Sequence, residues 1–491
     1  MWSFIKNIIH SNAASCLTDK QFLEKEIANW LNSPERLMQI KGFLYYNNEH
    51  DILHHKRTVI GENGRLEEVS NLPDNHVIDN QYAKLVNQKA NYLLGQPVTF
   101  ECDNKQYEKL IKLTLNKKFM RTLKNAGVSM LNGGIAWLYP CYDEPGVLSF
   151  RLFPSYEILP FWSDSEHTKL DMAVRLYHVL DVSGNTQQTV KKVEVFKSDG
   201  IYRYIYKDGV LNPDGDSKQV PYAVTVTHDG SLLALNWDKI PLIPLKYNEN
   251  EMPLIKRVKS LQDGINIMLS TFENNMLEDA RNTILVIKGY GGENLGEFRK
   301  NLAAYGAVKI DPYGDGGGGV DTLTVSVNAE NYKSILELFK KALIENAMGY
   351  DAKDDRLSGN PNQMNIRSMY SDIDLDANSM ETELQAAFEE ILWFANAHLE
   401  NTGFGNFDNE EVNVIFNRDI LINETEAIEN CVKSVGIISD ETVISQHPWV
   451  DDIGQELERL ENQRNKEHDE LNRQMYEPFA GRHSDESDEH E

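Results

Sequence analysis

The sequence predicts a mixed α/β (α+β) chain built from several regions, with unusually long helices flanking a small insert. Three observations predict it. Leu254, Val258, Leu261, Ile265, Met268, Phe272 and Met276 are spaced by threes and fours, which marks one helix of nearly thirty residues with a heptad-like seam. Residues 98 to 250 are rich in alternating patterns and turn dipeptides, as β-strands require. Between residues 80 and 94, Tyr82, Leu85, Val86, Lys89, Tyr92 and Leu93 recur at helical spacing on one face.

The first 75 residues read as helices joined by polar loops. Leu17-Thr18-Asp19-Lys20 opens one helix with Thr18 or Asp19 as cap, and Ser33-Pro34-Glu35-Arg36 opens a second with Ser33 as cap and Pro34 in the first turn. Asn80 caps the next helix, and Gly95 followed by Pro97 is expected to stop it. Gly133-Gly134 turns into a buried strand through Tyr139. Strands follow at Ala173 to Leu180, Lys192 to Lys197 and Ile201 to Lys207, with Lys207-Asp208-Gly209 as a turn. After the long helix come a strand at Thr283 to Lys288, a short helix at Leu295 to Ala304, a strand at Ala307 to Ile310 and a return strand at Thr322 to Val327. A second long helix from Glu330 to Met348 uses Ile335, Leu336, Phe339, Leu343 and Ile344. The polar stretch Tyr350 to Asn365 leads to a helical region from Ile366 to Glu400, with a kink expected where short polar residues cluster at Asp374 to Asn378. Its buried stripe is Met380, Leu384, Phe388, Ile391 and Ala395. Glu411 to Phe416 reads as a strand, and residues 424 to 476 as charged helices. The last eight residues, SDESDEHE, hold five acids and are expected to be disordered.

Composition narrows the function classes. The 491 residues carry 76 acidic and 49 basic side chains, a formal charge of −27. Proteins that grip DNA are usually basic because phosphate contacts supply most of the affinity, so this chain is not built for tight DNA capture. No apolar run is long enough to span a membrane, and the N-terminal patch is broken by Lys6, Asn7 and His10. Cys16, Cys102, Cys141 and Cys431 are far apart, which argues against zinc or a disulfide framework and suits a reducing cytoplasm.

Catalytic signatures are sparse. No phosphate-loop motif is present, and Gly289-x-Gly291-Gly292 lacks dinucleotide spacing. His50 and His54 stand four apart, as zinc ligands do, but no third ligand is evident, and surface or interface histidines are the plainer account. Asp311, Asp315 and Asp321 miss the calcium-loop pattern. Asp351, Asp354 and Asp355 suggest a metal-dependent nuclease, against which Lys353 and Arg356 point to a charge-balanced solvated loop. No metal site and no cofactor are assigned.

Wording adds what periodicity does not. NQYAKLVNQKANYLLGQP, at residues 80 to 97, closely resembles a signature of portal proteins of tailed double-stranded DNA bacteriophages. Tyr45 to Leu53 (YYNNEHDIL), Ile240 to Glu249, Val258 to Asp263, Ser270, Asn274 to Arg281, Ile284 to Gly289, Gly436 to Val443, Pro448 to Asp452 and Glu456 to Leu460 resemble further blocks of that family, in the expected order. The resemblance implies a ring-forming subunit with wing, stem, clip and crown, twelve to a ring at one capsid vertex. DNA would pass inward during packaging and outward at ejection.

By that resemblance, residues 1–252 are the wing, 253–282 the first stem helix, 283–328 the clip and 329–348 the second stem helix. Residues 349–365 are then the tunnel loop, 366–423 the long helix and strand returning to the wing, 424–476 the crown and 477–491 an acidic tail. It further implies that Lys353, Asp354, Asp355, Arg356, Asn360 and Gln363 face transient, sequence-independent DNA, with intersubunit salt bridges as the alternative for some of them. Lys288, Arg299, Lys300 and Lys309 become candidates for contact with the packaging motor or another acidic or phosphate-bearing partner, with ordinary surface residues as the alternative for each. Implied partners are terminase, major capsid and scaffolding proteins, and head-completion or neck proteins, with no membrane. The implied location is the virion, after assembly in the host cytoplasm. The rivals are a head or adaptor protein without a pore, and the nuclease.

Overall fold

The structure, a computed structural model, describes residues 19–60, 65–68, 72–143, 146–183, 186–215, 219–226, 231–279, 283–288, 319–324, 329–351, 363–418, 424–450 and 453–476. The chain divides into two compact units. Met1–Tyr350 with Asp372–Asp419 form the first, and Asp351–Ser371 with Ile420–Glu491 form the second.

The first unit opens with helices α1 (Asp19–Leu31) and α2 (Pro34–Tyr46). The Ser33 hydroxyl accepts the Arg36 N–H at 3.2 Å, so serine and proline start α2 as their chemistry requires. Helices α3 (Gln81–Leu94), α4 (Lys105–Thr114) and α5 (Lys117–Gly133) follow. Asn80 caps α3 by accepting the Ala83 N–H at 2.8 Å, and Tyr82, Leu85, Val86, Lys89, Tyr92 and Leu93 are all buried. Gly95 does not end α3 through a left-handed turn. Its φ is −71°, and the stop falls to Pro97, which disfavours a helical conformation at the residue before it.

The β region has two main sheets beside the two-stranded pairs β1 (Thr58–Ile60) with β2 (Leu66–Glu68) and β12 (Ala223–Val226) with β13 (Leu232–Leu235), and the short β11 (Gln219–Val220). Strands β4 (Ile135–Tyr142) and β5 (Leu148–Pro154) pair with β14 (Ile243–Lys246) in the order β14-β4-β5. Strands β6 (Ile158–Trp162), β7 (Leu170–Ser183), β8 (Thr186–Lys197), β9 (Gly200–Lys207) and β10 (Val210–Pro213) form an antiparallel meander. Asp208 and Gly209 both have positive φ, 51° and 82°, the type I′ geometry that lets a two-residue turn match strand twist. Alternation gives the meander two apolar faces. Val174, Leu176, Val193 and Val195 pack with Leu23, Ile27 and Trp30 of α1, while Ala173, Phe196 and Ile201 pack with Ile135, Trp137 and Phe153. Each such large side chain contributes about 1.5–3 kcal/mol of burial.

Gly134 links α5 to β4 with φ +78°, and a Cβ there would stand 2.0 Å from the Glu251 carbonyl oxygen, so only glycine fits. The Tyr247 N–H bonds the Gly134 carbonyl at 2.9 Å and the Leu254 N–H bonds the Leu131 carbonyl at 3.0 Å. These contacts fix the turn that launches α6 (Ile255–Asp279). Helix α7 (Ala329–Asn346) runs antiparallel to α6. The Phe272 and Tyr332 rings lie 5.1 Å apart, and the Arg257 guanidinium reaches the Met348 sulfur at 3.7 Å. Between the two helices, β15 (Thr283–Lys288) pairs with β16 (Gly319–Thr324). The return strand therefore begins three residues before the expected Thr322. The expected elements at Leu295 to Ala304 and Ala307 to Ile310 lie outside the described residues.

The α6 seam is buried only in part. Leu254, Val258 and Ile265 are buried, but Met276 is 52% exposed and, on α7, Ile335 is 42% exposed. The buried positions in the second half of α6 are polar instead. Helix α7 ends two residues early in a Schellman turn, with Met348 at φ +52°, its N–H on the Glu345 carbonyl and the Gly349 N–H on the Ile344 carbonyl. Helix α8 (Gln363–Asn401) is 39 residues of uninterrupted helix, with no break at Asp374 to Asn378. Its stripe of Met380, Leu384, Phe388, Ile391 and Ala395 is buried, and Gly403, at φ +81°, closes it. Strand β17 (Asn413–Ile415) pairs with β3 (Thr99–Glu101).

The second unit holds the first turns of α8, with Ile366, Met369 and Tyr370 buried, and helices α9 (Glu424–Ser434), α10 (Asp440–Ser445) and α11 (Ile453–Tyr476). The Ser439 hydroxyl caps α10 at the Thr442 N–H, and Arg464 of α11 pairs with Asp440 at 3.1 Å.

Candidate functional site

Two polar constructions in the first unit converge on α3. The first explains the polar positions of α6. Gln262, Asn266, Ser270 and Asn274 stand four apart and are all buried. Their side chains accept backbone N–H groups of the stretch just before α3, Asn75 to Asn274 at 2.8 Å, Val77 to Ser270 at 2.9 Å and Asp79 to Asn266 at 3.2 Å, and then of the first turn of α3 itself, Tyr82 to Gln262 at 3.0 Å. Gln262 also donates to the Asp79 carbonyl at 2.8 Å. Four helical residues rise about 6 Å and two extended residues about 6.6 Å, so a helix with a polar residue every fourth position can serve alternate amides of a straight chain.

His50 closes this ladder. It is fully buried, stacked on Tyr45 with ring centroids 4.3 Å apart. Its Nε2 faces the Tyr45 carbonyl at 3.0 Å and must carry the proton, which leaves Nδ1 to accept from the Asn266 amide at 2.8 Å. Burial lowers its pKa. The expectation of a surface or interface histidine is corrected here: His50 is a core residue held in its neutral form, whereas His54 and His55 are exposed. Asp51 beside it joins Lys41 of α2 to Lys259 of α6. Burial works against its charge, and the two ammonium groups overcome that, bringing its pKa down to about 2.

The second construction holds the chain leaving α7 and ties it to the body of α8. The Gln88 amide grips Tyr350 on both backbone atoms: its nitrogen donates to the Tyr350 carbonyl at 2.8 Å and its oxygen accepts the Tyr350 N–H at 3.2 Å. Lys89 has a side chain only 1% exposed, and its ammonium donates to the Met348 carbonyl at 2.9 Å and to Asp376 of α8 at 2.7 Å. One ammonium thus ties the end of α7 to the body of α8. Burial pulls its pKa down and the Asp376 carboxylate opposes that. Tyr247 donates to both Asp376 oxygens, and Arg257 stands 3.7 Å from one of them. One turn along α3, the Tyr92 hydroxyl meets Asp374, which also takes Arg418 at 3.0 Å. The short polar cluster in α8 is therefore a docking face rather than a kink. Gly349 leaves room for the grip, since a Cβ there would meet Leu85 at 2.5 Å and the Gln88 oxygen at 3.0 Å.

The sequence-derived candidates fall elsewhere. Lys353, Asp354, Asp355, Arg356 and Asn360 lie outside the described residues, as do Arg299, Lys300 and Lys309. Gln363 is the first residue of α8, and its N–H donates to Glu426 at 2.9 Å within the second unit. Lys288 ends β15, paired with Gly319. From sequence, Gln88, Asp376 and Arg418 carry no functional signal of their own, and Tyr350 and Asp374 mark only the edges of a polar stretch and of an expected kink. Among the described residues, no group of three or more His, Cys, Asp or Glu is placed to hold a metal ion.

The family model described as phage portal protein, SPP1 Gp6-like, matches residues 24–470, which includes the α6 ladder and the contacts of Gln88 and Lys89. The chain belongs to that family. Its similarity extends to the portal protein of Bacillus phage SPP1, at 30% identity over 442 residues, 89% of this chain and 85% of that one. The portal protein of Clostridium phage phiCD119 is 28% identical over 441 residues, covering 87% and 92%. Among solved structures, a chain from the neck of a native GTA particle, computed with C12 symmetry, aligns at a TM-score of 0.40 with 12% identity, covering 74% of this chain and 88% of that one. This chain is thus a portal protein of a tailed phage, a virion component with a portal role in DNA packaging.

Proposed function

We propose that twelve copies close into a ring by head-to-tail contacts whose rotation returns to the start. The α6–α7 hairpin supplies the channel wall as the stem, and residues 283–328 form the clip outside it. Residues 349–365 project into the bore, where Lys353 and Arg356 touch phosphate briefly and Asp354 and Asp355 oppose capture, beside Asn360 and Gln363. Lys288, Arg299, Lys300 and Lys309 face terminase during packaging and head-completion or neck proteins afterwards. Major capsid and scaffolding proteins surround the wing, and assembly takes place in the host cytoplasm. The chain is non-enzymatic and leaves ATP chemistry to terminase. No described helix is long and apolar enough to cross a membrane.

The observation that carries this reading is the family match from residue 24 to 470, which spans every region from wing to crown. The charge agrees with it: at −27 per chain, twelve chains carry 12 × −27 = −324, a surface that DNA slides past rather than sticks to. That field is screened beyond about 8–10 Å at physiological salt, so the repulsion acts only close to the wall. Deleting residues 353–363 tests the loop assignment. Rings should still form while packaged or retained DNA falls; loss of rings would contradict it.

A further inference from the structure

We infer that Gln88 of α3 is a positioning residue for the DNA-facing stretch: it sets where that stretch leaves the body of the subunit. The inference rests on the proposed placement of residues 349–365 in the bore. Three observations carry it. Gln88 makes no use of its own helix's hydrogen bonding; its amide is spent on the two backbone atoms of Tyr350, 262 residues away. Those bonds ignore the Tyr350 side chain, so they fix a backbone position rather than recognise a residue. The neighbouring Lys89 holds the carbonyl two residues earlier and, through Asp376, the returning helix. The chain leaving α7 is therefore held from α3, and the same helix reaches the body of α8.

Lys89 and Gln88 divide the work. Lys89 is buried at the junction of α3, α6, α7 and α8, and its loss damages the core. Gln88 is half-buried, and its two hydrogen bonds to Tyr350 are separable from the packing. Gln88→Met keeps the length and apolar stem of the side chain and removes both bonds. Gln88→Glu keeps the acceptor for the Tyr350 N–H and loses the donor to its carbonyl. Loss of two ordinary hydrogen bonds raises the released fraction of the root by roughly tenfold or more.

The test uses the full chain in the parent phage, with the 353–363 deletion as a control. Purified Gln88→Met chain should form rings and melt as the parent does, while DNA-filled heads fall roughly tenfold and Gln88→Glu falls between the two. If Gln88→Met packages normally while the deletion does not, the positioning role is overturned and the loop assignment stands. If the deletion itself packages normally, the loop assignment fails and this inference with it. If Gln88→Met forms no rings or melts well below the parent, Gln88 is a structural residue and the inference is overturned.

Discussion

Two buried charges decide most at the scale of single residues. Lys89 and Asp376 are side chains 1% and 6% exposed, bonded at 2.7 Å. Removing Asp376 leaves the Lys89 ammonium buried without its bonded counterion, and removing Lys89 leaves Asp376 only the more distant Arg257, so Asp376→Asn or Lys89→Met is expected to cost about 3–5 kcal/mol. The double change Lys89→Met with Asp376→Leu should recover much of that; urea unfolding of the unassembled chain reads both. His50 gives a pH test. Its folded pKa lies below its ordinary 6.5, so the unfolded chain binds more protons between the two values. Its stabilising effect is complete above pH 6.5 and is lost as pH falls through the folded value. His50→Gln should flatten the stability slope below pH 6.5, with a residue left by His398, whose pKa burial also lowers. Asp51 acts in a separate, more acidic window, losing its contribution below 3.8 towards about 2.

At the scale of elements, the α6 ladder behaves as a sheet edge made of side chains. Backbone amides of Asn75, Val77 and Asp79 should resist hydrogen exchange although they belong to no strand. Asn266 serves Asp79, Gln262 and His50 together, so Asn266→Ala should cost roughly 2–4 kcal/mol and expose those amides, whereas Asn274→Ala, at the end of the ladder, should cost about 1 kcal/mol. Exchange measured by mass spectrometry would separate the two. This element also shows where sequence reading stops. The caps at Ser33 and Asn80, the buried face of α3, the Asp208-Gly209 turn and the stripe of α8 were legible, because each follows from local chemistry or period. The polar series on α6 was not, since a period shows that a face is polar and not whether water or a backbone satisfies it. The useful sign was that the series holds amides and a hydroxyl but no charge. The short polar residues at Asp374 to Asn378 misled for the same reason: their partners, Tyr92, Lys89 and Arg418, are distant in sequence.

For the whole molecule, the family was legible in wording and order, and the comparisons bear it out from residue 24 to 470. The root grip was not, because Gln88, Tyr350 and Asp376 meet only through the fold. The formal charge of −27 per chain has an assembly consequence. Like-charged subunits repel, so raising salt from low to physiological levels should favour closed rings over free chains, and the rings should retain little DNA in a mobility-shift assay. The most direct measurement is electron microscopy of the purified full chain, with the subunits counted in averaged particles. Closed rings with a central channel and near twelvefold symmetry are the predicted result. A compact dimer with no pore in any condition, scaffold and capsid partners included, would contradict the account.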